Sequence, residues 1–257
     1  MSIGKVFDNG GYIGITKGFF ERESLSYQSG IWSMESIYEG VLSIPTPIEF
    51  VGSIVGQSTT DVTSFNISGL NIRSDDLIFL VTAQNTGASV NSIITGVSLT
   101  KFIDYTGGSF GSGEYFYGYL TGNETIITVD NNALSNPTSV AIFRNAEFGG
   151  VEGTDFAYVT GGPVNPPSLA GFNTTAPFND IAIAAITVNT YDNFATPVAP
   201  AGYITAAAAR VYDGQNLGGA SCIGYKSAQS PTEDPGSFTL GETSGQWSAA
   251  TIKITAK

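Results

Sequence analysis

Asp75-Asp76-Leu77-Ile78-Phe79-Leu80-Val81-Thr82 is answered in the second half of the chain by Asn179-Asp180-Ile181-Ala182-Ile183-Ala184-Ala185-Ile186. Each is a polar pair followed by an apolar run of strand length. Two more correspondences follow in the same order. Gly118-Tyr119 recurs as Gly224-Tyr225, about 106 positions on, and Ser139-Val140-Ala141-Ile142-Phe143-Arg144 recurs as Ser248-Ala249-Ala250-Thr251-Ile252-Lys253. Identity is low and the order carries the match. Strands precede the first copy, no second N-terminal segment precedes the second, and the Gly/Pro-rich stretch 149–173 is short for a linker between separate cores. The repeat therefore predicts an all-β protein: a single jelly-roll-like β-sandwich built from two related halves.

Strand-like segments extend outward from these landmarks. The first set is Phe50–Val55, Thr63–Ile67, Leu77–Thr82, Ile93–Phe102, Glu114–Leu120, Thr125–Val129 and Ser139–Arg144. The second is Ile181–Asn189, Tyr203–Val211, Ala220–Lys226, Ser237–Leu240 and Trp247–Thr255. Turn signals such as Asn85-Thr86-Gly87 and Thr106-Gly107-Gly108 separate them, the spacing expected of a sandwich or jelly roll. In the final strand Ala250, Ile252 and Ile254 alternate with Ala249, Thr251 and Lys253, the pattern of a half-buried strand. Within Glu114–Leu120, Tyr115, Tyr117 and Tyr119 share one face and Phe116 and Leu120 the other, and the second face is the better core candidate.

Residues 1–44 read differently. Met34, Ile37, Tyr38, Val41 and Leu42 keep helical spacing, Ser33 can cap the start and Glu35 sits in the first turn, so one short amphipathic helix is expected. A helix this short needs a packing partner. Ile44-Pro45-Thr46-Pro47-Ile48 is extended by its prolines. The expected organisation is an N-terminal anchoring segment, 1–44, and a sandwich domain, 45–257.

Composition narrows the function classes. Charged residues are only 12% of the chain, about half the usual share, and the net charge is −12. With no Lys/Arg cluster, nucleic acid is not an expected partner. No apolar run is long enough to cross a membrane as a helix, so no membrane insertion is expected. The 257 residues include no histidine, which removes Ser-His-Asp and Cys-His catalysis. The lone Cys222 has no disulfide partner and reads as a small buried apolar group. The N-terminus lacks a secretory signal pattern, so synthesis in a cytoplasm is expected.

Candidate chemistry is sparse. Gly107-Gly108-Ser109-Phe110-Gly111 fits the nucleophile-elbow pattern but lacks a following helix and a histidine base, and reads as a hairpin loop. Asp75-Asp76, Glu147, Glu152, Asp155 and Glu233-Asp234 are carboxylates that glycoside hydrolysis would need in a facing pair, yet most sit beside turns. Asp130-Asn131-Asn132 and Asp213-Gly214-Gln215-Asn216 have calcium-binding chemistry without the spaced loop motif. No catalytic residue, cofactor or metal is expected. Tyr115, Tyr117 and Tyr119 either contact a glycan or a neighbouring subunit or pack across the sheet. Ile31, Trp32, Met34, Ile37 and Tyr38 are many large apolar groups for so short a segment, suited to docking on another protein or back onto the sandwich.

Ser29-Gly30-Ile31-Trp32-Ser33-Met34 with Tyr38, and the closing strand Trp247-Ser248-Ala249-Ala250-Thr251-Ile252, resemble structural proteins of tailed bacteriophages. Phage appendage and tail-fibre-like proteins carry a Gly-Ile/Met-Trp-Ser-Leu segment followed by a tyrosine; here Met34 stands for the leucine. The resemblance implies a virion component, on a tail fibre, another appendage or as head decoration. It also implies attachment to other virion proteins through residues 1–44, a homo-oligomer (a trimer by analogy) and display of the sandwich, with a host surface glycan as a possible ligand. A glycan-binding host-recognition module is the alternative function, and a polysaccharide depolymerase the third.

Overall fold

The computed structural model describes residues 3–6, 13–15, 46–84, 91–106, 111–131, 135–160, 164–190, 195–212, 214, 218–240 and 244–257. The expected helix and the anchor residues Ile31, Trp32, Met34, Ile37 and Tyr38 lie outside them. The chain divides into two compact units, Met1–Ile44 and Pro45–Lys257. In the first, β1 (Ile3–Val6) and β2 (Ile13–Ile15) pair antiparallel.

The second unit is all-β, with antiparallel sheets packed as a sandwich. Its first half supplies β3 (Glu49–Ser58), β4 (Val62–Asn66), β5 (Ser74–Gln84), β6 (Ile93–Thr95), β7 (Thr100–Thr106), β8 (Ser112–Thr121), β9 (Ile126–Asp130) and β10 (Asn136–Arg144). The second supplies β11 (Ala146–Thr160), β12 (Leu169–Ala170), β13 (Ile181–Thr190), β14 (Ile204–Tyr212), β15 (Gly218–Ser227), β16 (Thr232–Glu233) and β17 (Ser244–Ala256). The two main sheets are five-stranded, in the orders β3-β10-β5-β8-β7 and β11-β17-β13-β15-β14. Counted among the five main-sheet strands of its own half, each order is first, fifth, second, fourth, third. The chain therefore completes one sheet before it begins the other. The first strand of each sheet lies over the third strand of its mate, β3 on β14 and β11 on β7. The duplication reaches the covering strands too, since β4 pairs with β9 and their counterparts β12 and β16 pair with each other.

The ladders refine the alignment of the halves. Ile78 opposes Gly118, and Ala184 opposes Gly224; Val81 opposes Ser139, and Thr187 opposes Ser248. In the sheet frame β13 is thus displaced by two residues from the match made by the acidic landmarks Asp76 and Asp180. A two-residue shift preserves side-chain facing, so the expected core faces survive it.

Leu77, Phe79, Val81, Tyr115, Ala141 and Phe143 of one sheet meet Ile183, Ala185, Ile223, Ala250, Ile252 and Ile254 of the other. The outer faces are also covered. Phe65, Ile127 and Val129 of the three-stranded sheet β4-β9-β6, with Ile67 just after β4, pack on Ile78, Leu80, Phe116, Val140 and Ile142. Over the second sheet, Val164, Phe238 and Leu240 pack on Ala184, Ile186, Val188, Cys222 and Trp247. Central strands are consequently buried on both faces, which is why β5 and β13 read as continuous apolar runs instead of alternating. The closing strand β17, expected to be half-buried, buries Ala249 and Thr251 as well as Ala250, Ile252 and Ile254.

Three local expectations are corrected. The stretch taken for a connector contains most of β11, an edge strand paired with β17 along its length; its bulges at Phe148/Gly150 and Thr154/Ala157 hide the strand period. The true junction between the halves is Asn145 alone, held at φ 55°, a left-handed conformation that asparagine tolerates better than most residues. The expected strand Ile93–Phe102 divides into β6 and β7, because Gly96 turns the chain at φ +86° with a Cβ position only 2.0 Å from the Ile126 carbonyl oxygen. Ser237–Leu240 forms single bridges, Phe238 to Val164 and Thr239 to Val198, and no extended ladder.

Candidate functional site

Among the described residues four acidic side chains are buried in the sandwich: Asp76, Glu114, Asp180 and Glu233. A buried carboxylate is costly unless charged or hydrogen-bonding partners surround it. Each has them. Arg144 on β10 donates to Asp76 on β5 through Nε (3.0 Å) and Nη2 (2.9 Å), a bidentate pair, and its Nη2 also donates to the Asn71 carbonyl oxygen at 2.5 Å. The Asp76 hydrogen bonds, with burial opposing them, hold the Arg144 pKa above its ordinary value. Asp180 Oδ2 accepts from the Asn173 amide at 2.8 Å. Glu233 pairs with Lys226 at 2.6 Å and accepts from the amides of Gln229 (2.5 Å) and Ser230 (2.9 Å). Burial pushes the Glu233 pKa up, but the Lys226 and amide donors outweigh it and hold the carboxyl below its usual range.

The richest polar cluster gathers at one end of the first sheet. Glu114, 1% exposed, presents two differently occupied oxygens. Oε1 accepts from Lys101 Nζ at 2.9 Å; Oε2 accepts from Gln84 Nε2 at 2.7 Å and from the Ser92 amide at 3.0 Å. Lys101 Nζ also donates to Asp104 Oδ2 at 2.5 Å and to Asn91 Oδ1. Gln84 is fixed in turn by Ser92 and by Ser112, at 2.7 Å each. Burial pushes the Lys101 pKa down, but hydrogen bonds and attraction from Asp104 and Glu114 outweigh it and raise it above its ordinary value. Lysine and both acids come from β7 and β8, where Asp104 stands opposite Glu114. Sequence reading missed this cluster because its members are spread from Gln84 to Glu114 and meet only through strand pairing.

The tyrosine stripe divides along β8. Tyr115 is fully buried between the sheets, and its hydroxyl donates to the Ser248 carbonyl oxygen at 2.8 Å. That ring has no surface to offer a sugar or a neighbour, which corrects the expectation for Tyr115. Tyr117 is half-buried and stacks on Phe148, centroids 4.3 Å apart and planes 13° apart. Tyr119 is 39% exposed, with Lys257 Nζ 4.7 Å from its ring centroid. Phe116 and Leu120 are buried as expected, but against the covering sheet and not between the two main sheets.

Of the remaining candidates, Asp75, Glu147, Glu152 and Asp234 are exposed and Asp76 and Glu233 are committed to Arg144 and Lys226. The side chain of Asp155, Gly107–Phe110, Asn132, Asp213 and Gln215–Asn216 lie outside what is described. Among the described residues no three His, Cys, Asp or Glu side chains are grouped to hold a metal ion, and no helix is long and apolar enough to cross a membrane. Cys222 is buried, and burial pushes its thiol pKa up to about 12. No family model, curated protein or solved structure matches the chain.

Proposed function

We propose that this chain is a non-enzymatic structural protein of a tailed-phage virion, held on the particle through residues 1–44 and displaying the sandwich on a tail fibre, another appendage or the head. The observation that carries this reading is how the fold uses its polar interior. Arg144–Asp76 joins β10 to β5, Lys226–Glu233 joins β15 to its covering strand, and the Tyr115 hydroxyl joins the two sheets. These groups are spent on cohesion. The division of the chain at Ile44/Pro45 suits an anchor followed by a displayed body, and the Gly30-Ile31-Trp32-Ser33 segment supplies the likeness to phage appendages. Deleting residues 1–44 tests the reading. The remaining domain should keep its β circular dichroism and cooperative melting yet fail to enter particles; incorporation at the full-length level would refute it.

A second reading, a glycan-binding module for host recognition, is favoured by one observation: Tyr119 is exposed beside the stacked Tyr117 and Phe148 rings, a surface suited to a sugar face. It predicts binding to a host polysaccharide that Tyr119→Ala weakens at least tenfold. A depolymerase would instead release new reducing ends from that polysaccharide.

A further inference from the structure

We propose that Lys101 and Asn91 form an intramolecular isopeptide bond, with Glu114 as the proton carrier. The three groups needed for such a bond already share one nitrogen. Lys101 Nζ is the amine, and it donates to the carbonyl oxygen of the Asn91 carboxamide. Glu114 Oε1 lies 2.9 Å from the same Nζ. Glu114 also holds the electrophile's backbone, because its Oε2 accepts from the amide of Ser92, the residue after Asn91, at 3.0 Å. One buried carboxylate thus positions both reactants, which converts a difficult bimolecular aminolysis into an intramolecular one. A lysine that served only to neutralise Glu114 and Asp104 would not need a carboxamide as its third partner.

The chemistry balances without a co-reactant. Glu114 takes a proton from the Lys101 ammonium, and the freed amine attacks Cγ of Asn91. The new Nζ–Cγ amide bond forms as the Cγ–Nδ2 bond breaks. Two protons pass in all from Nζ, by way of Glu114, to the departing nitrogen, which leaves as ammonium. Nothing is oxidised or reduced, and the net charge is unchanged. Asn91 is exposed, so the ammonium has a path to solvent. Asp104 favours the ammonium form of Lys101, so the bond accumulates slowly and faster as pH rises.

The bond would tie the segment entering β6, an edge of the covering sheet, to β7, an edge of the first main sheet. A chain with a single cysteine cannot make such a staple by oxidation.

Intact-mass spectrometry of the full chain, aged at neutral and mildly alkaline pH, tests the proposal. The folded protein should be lighter than its sequence by one ammonia, and a protease digest should contain a branched peptide joining Asn91 to Lys101. Lys101→Arg, Glu114→Gln and Asn91→Ala should each show the full sequence mass. Asn91→Ala changes an exposed side chain and keeps the test valid if the Glu114 variant does not fold. An unaltered mass in the aged, folded wild-type protein overturns the proposal, as does an ammonia deficit that survives in Asn91→Ala.

Discussion

Replacing Asp76 with alanine isolates the buried ion pair that joins β5 to β10. The Asp76 side chain is 1% exposed and that of Arg144 9%, so solvent cannot take over the role of the missing carboxylate. Removing one member of such a pair leaves an uncompensated buried charge and costs about 3–5 kcal/mol. Two contacts temper this: Arg144 keeps its bond to the Asn71 carbonyl oxygen, and Glu49, 3.5 Å from Nη1 but 59% exposed, can move closer. The lower end, about 3 kcal/mol, is therefore expected, or roughly a 6–12 °C drop in melting temperature for a domain of this size. Asp76→Leu combined with Arg144→Met should recover most of the loss, because well-packed apolar substitutes for a buried pair are often neutral. Urea titration monitored by circular dichroism measures Asp76→Ala on its own and closes a double-mutant cycle from the wild type, Asp76→Leu, Arg144→Met and their combination. An Asp76→Ala loss below about 1 kcal/mol, or a double variant less stable than the sum of its singles, would refute the claim that the pair is held by mutual neutralisation in a dry interior.

Further outcomes follow from the same geometry. Tyr115→Phe keeps the packed ring but removes the hydroxyl that donates to the buried Ser248 carbonyl oxygen, so chemical denaturation should show a loss of about 1–2 kcal/mol. Gly113→Ala would set its Cβ 2.0 Å from Thr187 Oγ1 and 2.7 Å from Ser248 Oγ of the facing sheet; overpacking of about 1–3 kcal/mol should appear as a lower urea midpoint. The Glu233 carboxyl is held below its usual range in the fold, so its contribution is present above the unfolded-state value of about 4.3 and is lost as pH falls through the lower folded value. Stability should therefore decline on acidification below about pH 4, and Lys226→Met should shrink the difference in urea midpoint between pH 7 and pH 3. Cys222, with a thiol pushed up to about 12, should resist a thiol-reactive dye at pH 8 until the protein is unfolded; prompt labelling of the native protein would contradict its burial.

Much of the architecture was legible because burial on both faces leaves a plain mark. Leu77–Val81 and Ile181–Ile186 are too apolar to be anything but interior strands, and their recurrence exposes the duplication. What escaped was governed by pairing and not by local pattern. The two-residue displacement of β13 cannot be seen without its partners Gly224 and Ser248. β11 was obscured because Gly149, Gly150 and Gly153 look like punctuation, although in the fold they line a bulged edge. The inward turn of Tyr115 depends on a second sheet contributed by residues more than a hundred positions away, where Ser248 receives its hydroxyl. The Lys101–Glu114–Asn91 cluster is of the same kind, since nothing in Asn91-Ser92 announces a carboxylate beneath it.

Completing one sheet before starting the next has a consequence for how the protein is made. When Asn145 leaves the ribosome, the first sheet can already be whole, yet Leu77, Phe79, Val81 and Phe143 have no lid. The lid is not closed until β17, the last of the ten main-sheet strands in chain order, slides between β11 and β13. Until then the nascent chain carries an open apolar wall. Because the two sheets share one plan, that wall can be capped by the wrong copy: a neighbouring chain's second half on the same polysome fits the place meant for its own. Synthesis crowded enough to favour such exchange would yield interlocked pairs of chains with every native contact intact, and a stop codon placed before Ser244 would leave each chain permanently uncapped.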